Sequence, residues 1–256
     1  NYFYMSGSSI YSTQNTSIQN IVEKECKNKK YIIKSSNSDD TSQAAVVIID
    51  HSNGYVVACT GGLGDKTKSR VFNRATQMKR QTGSSMKPIA VLAPAIDRKL
   101  VTNVTVFADE PTTFIDYNGE SYSPVDYDPY KGSITLRQAT ESSQNIPFVK
   151  IMQQLTPSVS IDYLKKMGIT TLNEKDCNLA LALGGLDEGI SPLEFAGAYS
   201  TIANDGIYIE PTFFTKIETS SSKIILKSKQ SKRRAFSEDT ASLLKQLLTE
   251  PVVGSS

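Results

Sequence analysis

A serine and a lysine lie three residues apart in Gly83-Ser84-Ser85-Met86-Lys87-Pro88, at a predicted helix start. Residues three apart on a helix share a face, so the Ser84 hydroxyl and the Lys87 amine would lie side by side. A serine hydroxyl needs a neighbouring base to become a nucleophile, and a lysine can be that base when burial or nearby cations lower its pKa. Gly83 would let a substrate carbonyl approach the backbone, and the free N–H groups of the first turn could stabilise an oxyanion. The same spacing also fits an ordinary helix start with a solvated lysine, so the rest of the chain must decide.

A second polar pair, Ser143 and Asn145, precedes Pro147, where a helix is predicted to break or to begin. If the backbone turns there, the amide could hold a substrate peptide group and the hydroxyl could relay a proton to or from Lys87. Both residue types are also ordinary cap and turn formers, so a polar helix junction is the competing interpretation.

The composition excludes several classes of function. The 256 residues carry a net charge of +2, which gives no basic field for nucleic acid, and the basic run 229–234 is predicted to be a solvated loop. The longest apolar run, 44–49, is far shorter than a membrane-spanning helix. Three isolated cysteines, of which Cys59 is predicted to be buried, suggest neither zinc nor a disulfide framework, and we expect no metal or cofactor. The single histidine, His51, falls in a predicted turn, which argues against a Ser-His-Asp triad.

The elements that must position these residues follow from turn and cap signals. Asn53-Gly54 predicts a hairpin between two apolar strands, 45–50 and 55–59. The Ser84 helix should continue through Leu92 as a buried element that Pro94 perturbs, and the long segment 108–132 should be functional or carry small elements. Other predicted helices run from Thr16 to about Lys27 with Ile18, Ile21 and Val22 on one face, from Thr135, at Pro147, over 160–167, from Ser191 through Tyr199 to an end at Asn204-Asp205-Gly206, and from Glu238 to about Thr249. A strand pair is predicted over 213–218 and 223–227.

Ser84-x-x-Lys87 followed by Ser143-x-Asn145 resembles the penicillin-recognising serine transferases and hydrolases. The resemblance covers nearly the whole chain and is to the transpeptidase domain of class A, bifunctional penicillin-binding proteins. The matching segments are Tyr11-Ser12-Thr13 with Gln19, Val47-Ile48-Ile49-Asp50, Gly54-Tyr55-Val56-Val57-Ala58, Gly61-Gly62, Phe72-Asn73-Arg74-Ala75, Arg80-Gln81-Thr82-Gly83-Ser84, Leu183-Gly184-Gly185, Ser191-Pro192-Leu193-Glu194 and Ala203-Asn204-Asp205-Gly206.

One family motif is absent from these residues. The family carries Lys-Thr-Gly on a strand beside the nucleophile, whereas Lys66-Thr67-Lys68 lacks the glycine and precedes Ser84. The resemblance therefore implies an α/β (α+β) fold, an antiparallel sheet between helical layers as in penicillin-binding transpeptidases and β-lactamases, with the C-terminal strands missing from this chain. Residues 1–43 would be a linker or opening segment, and 44–256 a transpeptidase domain incomplete at its C-terminus. The chain begins at Asn1, and we expect its natural N-terminus upstream.

The resemblance also implies an activity and roles. Peptidoglycan D,D-transpeptidation would use Ser84 as nucleophile, Lys87 as its base, Ser143 as proton shuttle and Asn145 as the residue that holds the substrate amide. The substrates would be stem peptides ending in D-Ala-D-Ala, and β-lactams would acylate Ser84. Class A members also have an upstream glycosyltransferase domain and a membrane anchor, which implies the extracytoplasmic face of the bacterial cell membrane.

Three alternatives remain open. The first two are a serine β-lactamase-like hydrolase and a D,D-carboxypeptidase. A β-lactamase would need a base for water, yet Glu120 and Glu141, which lie between the two motifs, have no β-lactamase-like sequence context. The third is a non-enzymatic, degenerate penicillin-binding scaffold or sensor, supported by the absent Lys-Thr-Gly motif.

Overall fold

The computed structural model describes residues 7–34, 36, 41–66 and 68–253. Its helices and antiparallel strand pairs confirm the predicted mixed α/β fold. Two compact units are formed, one by residues up to Lys79 with Ser191–Ser200 and Ile209–Lys232, the other by Arg80–Ile190, Thr201–Tyr208 and the residues from Arg233 onward. The expected domain boundary at residue 43 stays a prediction, and both Thr67 and the 254–256 tail lie outside the described residues.

The elements follow one another with short helices between the strands. The strands are β1 Ser9–Ser12, β2 Val46–Asp50, β3 Tyr55–Thr60, β4 Val106–Asp109, β5 Phe114–Ile115, β6 Ser121–Tyr122, β7 Gly132–Thr135, β8 Ile207–Ile209, β9 Phe214–Glu218, β10 Ile224–Lys227 and β11 Lys232–Arg234. The α-helices are α1 Thr16–Cys26, α2 Arg74–Gln77, α3 Ala93–Asp97, α4 Leu136–Glu141, α5 Ile146–Leu155, α6 Pro157–Lys166, α7 Pro192–Ala203, α8 Glu238–Leu247 and α9 Glu250–Val253. Short 3-10 helices lie at Lys29–Tyr31, Gly83–Met86, Glu174–Asp176 and Leu179–Leu183, and a π-helix at Pro88–Leu92.

In the first unit the predicted hairpin is present. β2 pairs with β3 from Val46 opposite Thr60 to Asp50 opposite Tyr55. Gly54, at φ +74°, makes the turn that only glycine adopts easily. β1, β9 and β10 form a second antiparallel sheet, which confirms the predicted pairing of the 213–218 and 223–227 segments. The buried Thr13 hydroxyl joins the two sheets, since it lies 2.9 Å from the Val56 carbonyl oxygen and 3.0 Å from that of Thr212.

Helix α1 forms as predicted, but its buried face differs from the predicted one. Ile21 is 64% exposed, and the buried positions include Gln19 and Val22. Gln19 is buried because its amide completes the edge of β3, donating to the Cys59 carbonyl at 3.1 Å and accepting the Cys59 N–H at 2.9 Å. Cys59 itself is half-buried rather than buried.

In the second unit a continuous helical run crosses the core from Gly83 to Asp97. It passes from 3-10 to π to α geometry, and residues 88–96 are all buried, as the apolar pattern predicts. Pro94 has no N–H to give the Ala90 carbonyl four residues earlier. The buried Ser160 hydroxyl donates to that carbonyl at 2.6 Å instead, so a side chain from α6 supplies the missing bond.

Cap signals locate most of the remaining elements. Thr135 and Gln138 form the predicted capping box of α4, and Pro147 lies in the first turn of α5. α6 begins at Pro157, earlier than predicted, because a proline is favourable in a first turn. The segment 108–132 carries the short β5–β6 hairpin, as expected of a long connection.

The basic run 229–234 was predicted to be a solvated loop, and this prediction is wrong for its last three residues. Lys232–Arg234 forms β11, which pairs with β8. The Arg233 guanidinium lies over the Tyr208 ring and donates to the carbonyls of Lys165 and Lys166 at the end of α6. These contacts hold the strand in place, although its charged composition alone predicts a solvent-exposed loop.

Candidate active site

Lys87 is a buried lysine whose partners all come from one distant turn of the chain. It is 3% exposed at the end of the Gly83–Met86 helix. Its Nζ donates to the Ser143 carbonyl at 2.6 Å and lies 3.1 Å from the Ser143 hydroxyl oxygen. Nζ is also 2.8 Å from Asn145 Oδ1 and 3.2 Å from the Gln144 carbonyl oxygen. The structure thus brings three of the four predicted site residues together.

The surroundings of Lys87 favour its neutral amine. Burial lowers the pKa of its ammonium to about 8, and Asp126, when ionised, opposes that shift. Nζ also lies 4.9 Å from the centre of the Phe148 ring. A lysine in this state is a usable base near neutral pH, whereas a solvated lysine is almost wholly protonated there.

Ser84 lies one 3-10 turn before Lys87. Its carbonyl accepts the Lys87 N–H, and side chains three apart in a 3-10 helix eclipse, so both side chains lie on one face. The Ser84 hydroxyl is exposed and makes no hydrogen bond within the described part of the chain, including to Lys87. Its N–H, in the first turn, has no partner inside the helix and is available to an oxyanion. Catalytic hydrogen bonds often form only once substrate is bound.

Glycines hold the turn that presents Ser84. Gly83 has φ +58°, and a Cβ added to it would meet nothing within 4 Å, so glycine is needed there for its backbone conformation. A Cβ on Gly184, in contrast, would overlap the Gly83 carbonyl oxygen and lie 2.5 Å from the Gly83 nitrogen. Gly189 packs equally closely on the backbone of Arg80. The sequence resemblance included Gly184 but did not indicate this contact.

Residues 143–145 form a turn whose polar groups converge on Lys87. The non-glycine Ser143 has φ +53°, and its N–H donates to the Thr140 carbonyl at 3.2 Å. This left-handed residue turns the backbone, as the Ser-x-Asn hypothesis requires, so that side chains two apart reach one Nζ. Two hydrogen bonds to the 125–126 segment fix the position of Asn145. Its Nδ2 donates to the Val125 carbonyl at 2.6 Å, and its N–H donates to Asp126 Oδ1.

Asp126, Asp109 and Gln144 complete the site, and sequence reasoning missed all three. Gln144 is buried and its Nε2 donates to Asp109 Oδ2 at 2.8 Å and to the Pro129 carbonyl at 3.2 Å. Asp109 is fully buried at the end of β4. No local signal marks these residues, since a polar connecting segment ordinarily exposes its carboxylates.

The remaining candidates lie elsewhere or are unsupported. His51 is exposed on the β2–β3 turn, and Glu120 is exposed in the β5–β6 hairpin, paired with the Asn118 amide. Across the described ranges, no cluster of His, Cys, Asp or Glu is arranged to hold a metal ion. None of the described helices has both the length and the apolar character that crossing a bilayer requires.

Comparison with known proteins shows which family the chain belongs to. The family model described as the penicillin binding protein transpeptidase domain matches residues 44–255. The chain is 33% identical to penicillin-binding protein 1A of Clostridium acetobutylicum, over 96% of this chain and 32% of that protein. It therefore spans about a third of the length of such curated relatives.

Solved structures show the same fold. The PonA1 protein of Mycobacterium tuberculosis in complex with penicillin V matches with a TM-score of 0.78 at 23% identity, over 96% of this chain and 64% of that one. The D,D-transpeptidase domain of a peptidoglycan glycosyltransferase from Eggerthella lenta matches with a TM-score of 0.71 at 20% identity, over 97% and 67% of the two chains. The family match covers most of the chain and includes all of the turn around Lys87, so this chain belongs to the penicillin-binding protein transpeptidase domain family.

Proposed function

We propose that this chain is part of a serine D,D-transpeptidase that cross-links peptidoglycan stem peptides through an acyl-enzyme on Ser84. The observation that carries the proposal is the buried Lys87 amine, one helical turn after an exposed Ser84 and in contact with both Ser143 and Asn145. A solvated surface lysine at a helix start would show none of these contacts. The family match supports the same assignment.

The residues divide the chemistry between them. Ser84 Oγ attacks the carbonyl carbon of the penultimate D-Ala while its proton passes to the neutral Lys87 amine. The Ser84 N–H supplies one donor to the oxyanion. As the C–N bond breaks, the Ser143 hydroxyl passes a proton from Lys87 to the leaving D-Ala amine. A neighbouring stem-peptide amine then attacks the ester, forms the cross-link and releases Ser84.

Asn145 and Lys87 have complementary roles in this scheme. Asn145 Oδ1 holds Lys87 Nζ in the free protein, and the Asn145 amide group is the proposed contact of the substrate peptide. β-Lactams should acylate Ser84 because their strained amide presents the same reacting carbonyl. PonA1, which shares the fold, is described in complex with penicillin V.

The wider context is also proposed from the relatives. The match to penicillin-binding protein 1A supports a class A, bifunctional protein with an upstream glycosyltransferase domain. Such a protein would act at the extracytoplasmic face of the cell membrane, held by an N-terminal anchor. The Eggerthella lenta domain, described as part of a peptidoglycan glycosyltransferase, supports the same domain pairing.

The test is covalent labelling of the full-length protein with fluorescent penicillin. We expect one adduct, mapped by peptide mass spectrometry to Ser84, that is lost in Ser84→Ala. Ser85→Ala is the matched control, because Ser85 is an exposed neighbouring hydroxyl that donates to the Thr82 carbonyl. Absence of label, or equal labelling of Ser84→Ala, would refute the assignment.

A further inference from the structure

Two aspartates outside the proposed catalytic set face each other beside the Lys87 turn. Their carboxyl groups bind adjacent residues of this turn, Gln144 and Asn145, and the interaction with Asp109 helps to raise the pKa of Asp126. Asp109 Oδ2 accepts the Lys131 N–H and the Gln144 Nε2 amide, both at 2.8 Å. Asp126 Oδ1 accepts the Asn145 N–H. Each carboxyl group therefore has one oxygen supplied with donors by the protein.

The other two oxygens lack any such donor. Asp109 Oδ1 and Asp126 Oδ2 are both buried and form no hydrogen bond within the described residues, although the Ile146 N–H lies close enough to Asp126 to lower its pKa. A buried carboxylate oxygen without a donor is costly, and two facing carboxylates also repel. One proton between the two oxygens removes both costs, because the protonated carboxyl group then donates to the other.

The neighbouring charges decide where that proton lies. Asp109 Oδ2 already accepts two N–H donors, whereas burial and the interaction with Asp109 raise the pKa of Asp126 against the opposing effect of the Asn145 and Ile146 N–H groups. Lys87 is the nearby cation, acting on Asp126 through its charge, and Lys150 Nζ donates to the Ala108 carbonyl at 2.6 Å. The other charged side chains on these segments, Glu110, Asp128 and Lys131, are exposed.

We propose that Asp109 and Asp126 share one proton, and that Asp126 in this neutral pair is the positioning residue that holds Asn145 against Lys87 without placing a full negative charge beside the amine. The proposal rests on the proposed function for the role of Lys87. Asp126 Oδ1 fixes the Asn145 backbone, and Asn145 Oδ1 in turn holds Nζ. A fully charged Asp126 would hold Asn145 equally well but would favour the ammonium form of Lys87, which is not a base.

Paired substitutions in the full-length protein separate the two charge states. Asp126→Asn keeps both hydrogen bonds of a protonated Asp126, since its amide can donate to Asp109 and its oxygen can accept from Asn145. Asp109→Asn turns an amide toward Asp126, which then needs no proton and ionises. The readout is the pH dependence of penicillin acylation, whose midpoint reports Lys87 in the free enzyme.

If Asp126 is neutral, the two substitutions should affect the acylation midpoint differently. The acylation midpoint of Asp126→Asn should lie within about 0.3 pH units of wild type, and that of Asp109→Asn should rise by roughly 0.5–1 unit, an ordinary effect of a charge at this distance. Asp126→Ala, which loses the acceptor for Asn145, should acylate about tenfold more slowly, with most of that rate recovered in Asp126→Asn. A midpoint that falls in Asp126→Asn and stays unchanged in Asp109→Asn would overturn the proposal.

A second measurement does not depend on acylation or on the folding of Asp109→Asn. Infrared spectra at neutral pH should show a protonated carboxyl band in wild type that is absent from Asp126→Asn. If penicillin fails to label wild type but this band is present, the proposed function fails while the shared proton stands. If labelling succeeds and the band is missing, the shared proton is refuted and the function is not.

Discussion

Lys87 is a buried lysine, and its contacts mark out the candidate active site. Its Nζ contacts the side chains of Ser143 and Asn145 and the carbonyls of Ser143 and Gln144. An ammonium has only three donors, so these partners compete for its protons. Burial favours the neutral amine, while the carbonyls that accept from Nζ, and Asp126 to the extent that it is ionised, favour the ammonium. The balance leaves the pKa at about 8, where both forms are populated near neutral pH.

The first prediction concerns this balance. Acylation by labelled penicillin should rise with pH through about 8, because deprotonation of Lys87 produces the base. Lys87→Arg keeps the positive charge but cannot lose its proton, so acylation should fall at least 100-fold at all pH values. Stopped-flow measurement of second-order acylation rates from pH 6 to about 10 tests both statements.

The control for this profile is Lys150→Arg. Lys150 also donates a hydrogen bond to a carbonyl, that of Ala108. Within the described part of the chain, its side chain forms no hydrogen bond with the proposed catalytic residues. Its pH profile should match wild type. A flat profile for the wild-type protein, or an active Lys87→Arg, would contradict the role of Lys87 as base.

At the scale of elements, the Gly83–Asp97 helical run fixes Ser84 and Lys87 to the core. Its buried apolar residues leave little freedom for sliding or rotation, because a close-packed interior transmits any displacement. Pro94 has no N–H, so the Ala90 carbonyl lacks the donor that an α-helix would supply four residues later. Ser160 supplies the donor from α6, and thereby ties two core helices together.

We expect Ser160→Ala to destabilise the protein by about 1–3 kcal/mol, since the buried Ala90 carbonyl would lose its donor. Urea unfolding followed by circular dichroism measures this change. Ser158→Ala is the matched control on the same helix, because Ser158 is exposed and its hydroxyl pairs only with that of Thr156 among the described side chains. It should change stability by less than about 0.5 kcal/mol, and equal effects of the two substitutions would show that the buried bond is unimportant.

The turn before Ser84 depends on a second element, the segment around Gly184. Gly184→Ala should cost roughly 2–5 kcal/mol, because alanine meets both a left-handed conformation at φ +74° and the backbone of Gly83. The displaced turn should also slow acylation more than tenfold, since Ser84 is presented by it. Thermal unfolding and acylation rates of the same preparation test both effects.

Gly119→Ala is the control that separates the effect of a left-handed backbone conformation from the effect of the steric overlap at Gly184. Gly119 has φ +84°, but a Cβ there would meet nothing within 4 Å. It should lose only about 1–2 kcal/mol and keep wild-type acylation. If Gly184→Ala acylates as fast as Gly119→Ala, then the close packing of Gly184 does not position Ser84.

At the scale of the whole molecule, the chain represents about a third of the length of its curated relatives. The fate of an acyl-enzyme is the property that separates the proposed transpeptidase from a hydrolase of similar fold. A β-lactamase needs a base that activates water beside the ester. Of the two glutamates between the motifs, Glu120 is exposed in its own hairpin, whereas Glu141 is half-buried at the end of α4, two residues before Ser143.

We expect the penicillin adduct of the full-length protein to last on the order of hours, against well under a second for an efficient β-lactamase. Chasing the labelled protein with unlabelled penicillin and following the adduct by intact mass measures this lifetime. Rapid loss of the adduct with release of hydrolysed penicillin would favour the hydrolase. Release of D-Ala from a stem peptide without cross-linking would favour the carboxypeptidase.

The sequence by itself determined what depends on near neighbours. The Thr135–Gln138 capping box, the Asn53-Gly54 hairpin and the apolar run after Ser84 all form as predicted, because hydrogen bonds and periodicity within a few residues specify them. The Ser-x-x-Lys and Ser-x-Asn spacings also identified Lys87, Ser143 and Asn145, which the structure brings together. Local patterns did not indicate which side of a helix a polar residue would serve, so the burial of Gln19 was not predicted, and Ile21 was placed on the apolar face although it is 64% exposed.

Only the tertiary structure decided how the site is completed. The contact of Lys87 with Ser143 joins residues 56 apart, and the packing of Gly184 on Gly83 spans an even longer stretch of chain. Asp109 and Asp126 come together because the end of β4 and the loop between β6 and β7 meet at the Ser143 turn, and nothing in their own neighbourhood predicts burial. Burial and pairing of charge are properties of the packed core, and they convert an ordinary serine–lysine spacing into a site with a lysine of lowered pKa.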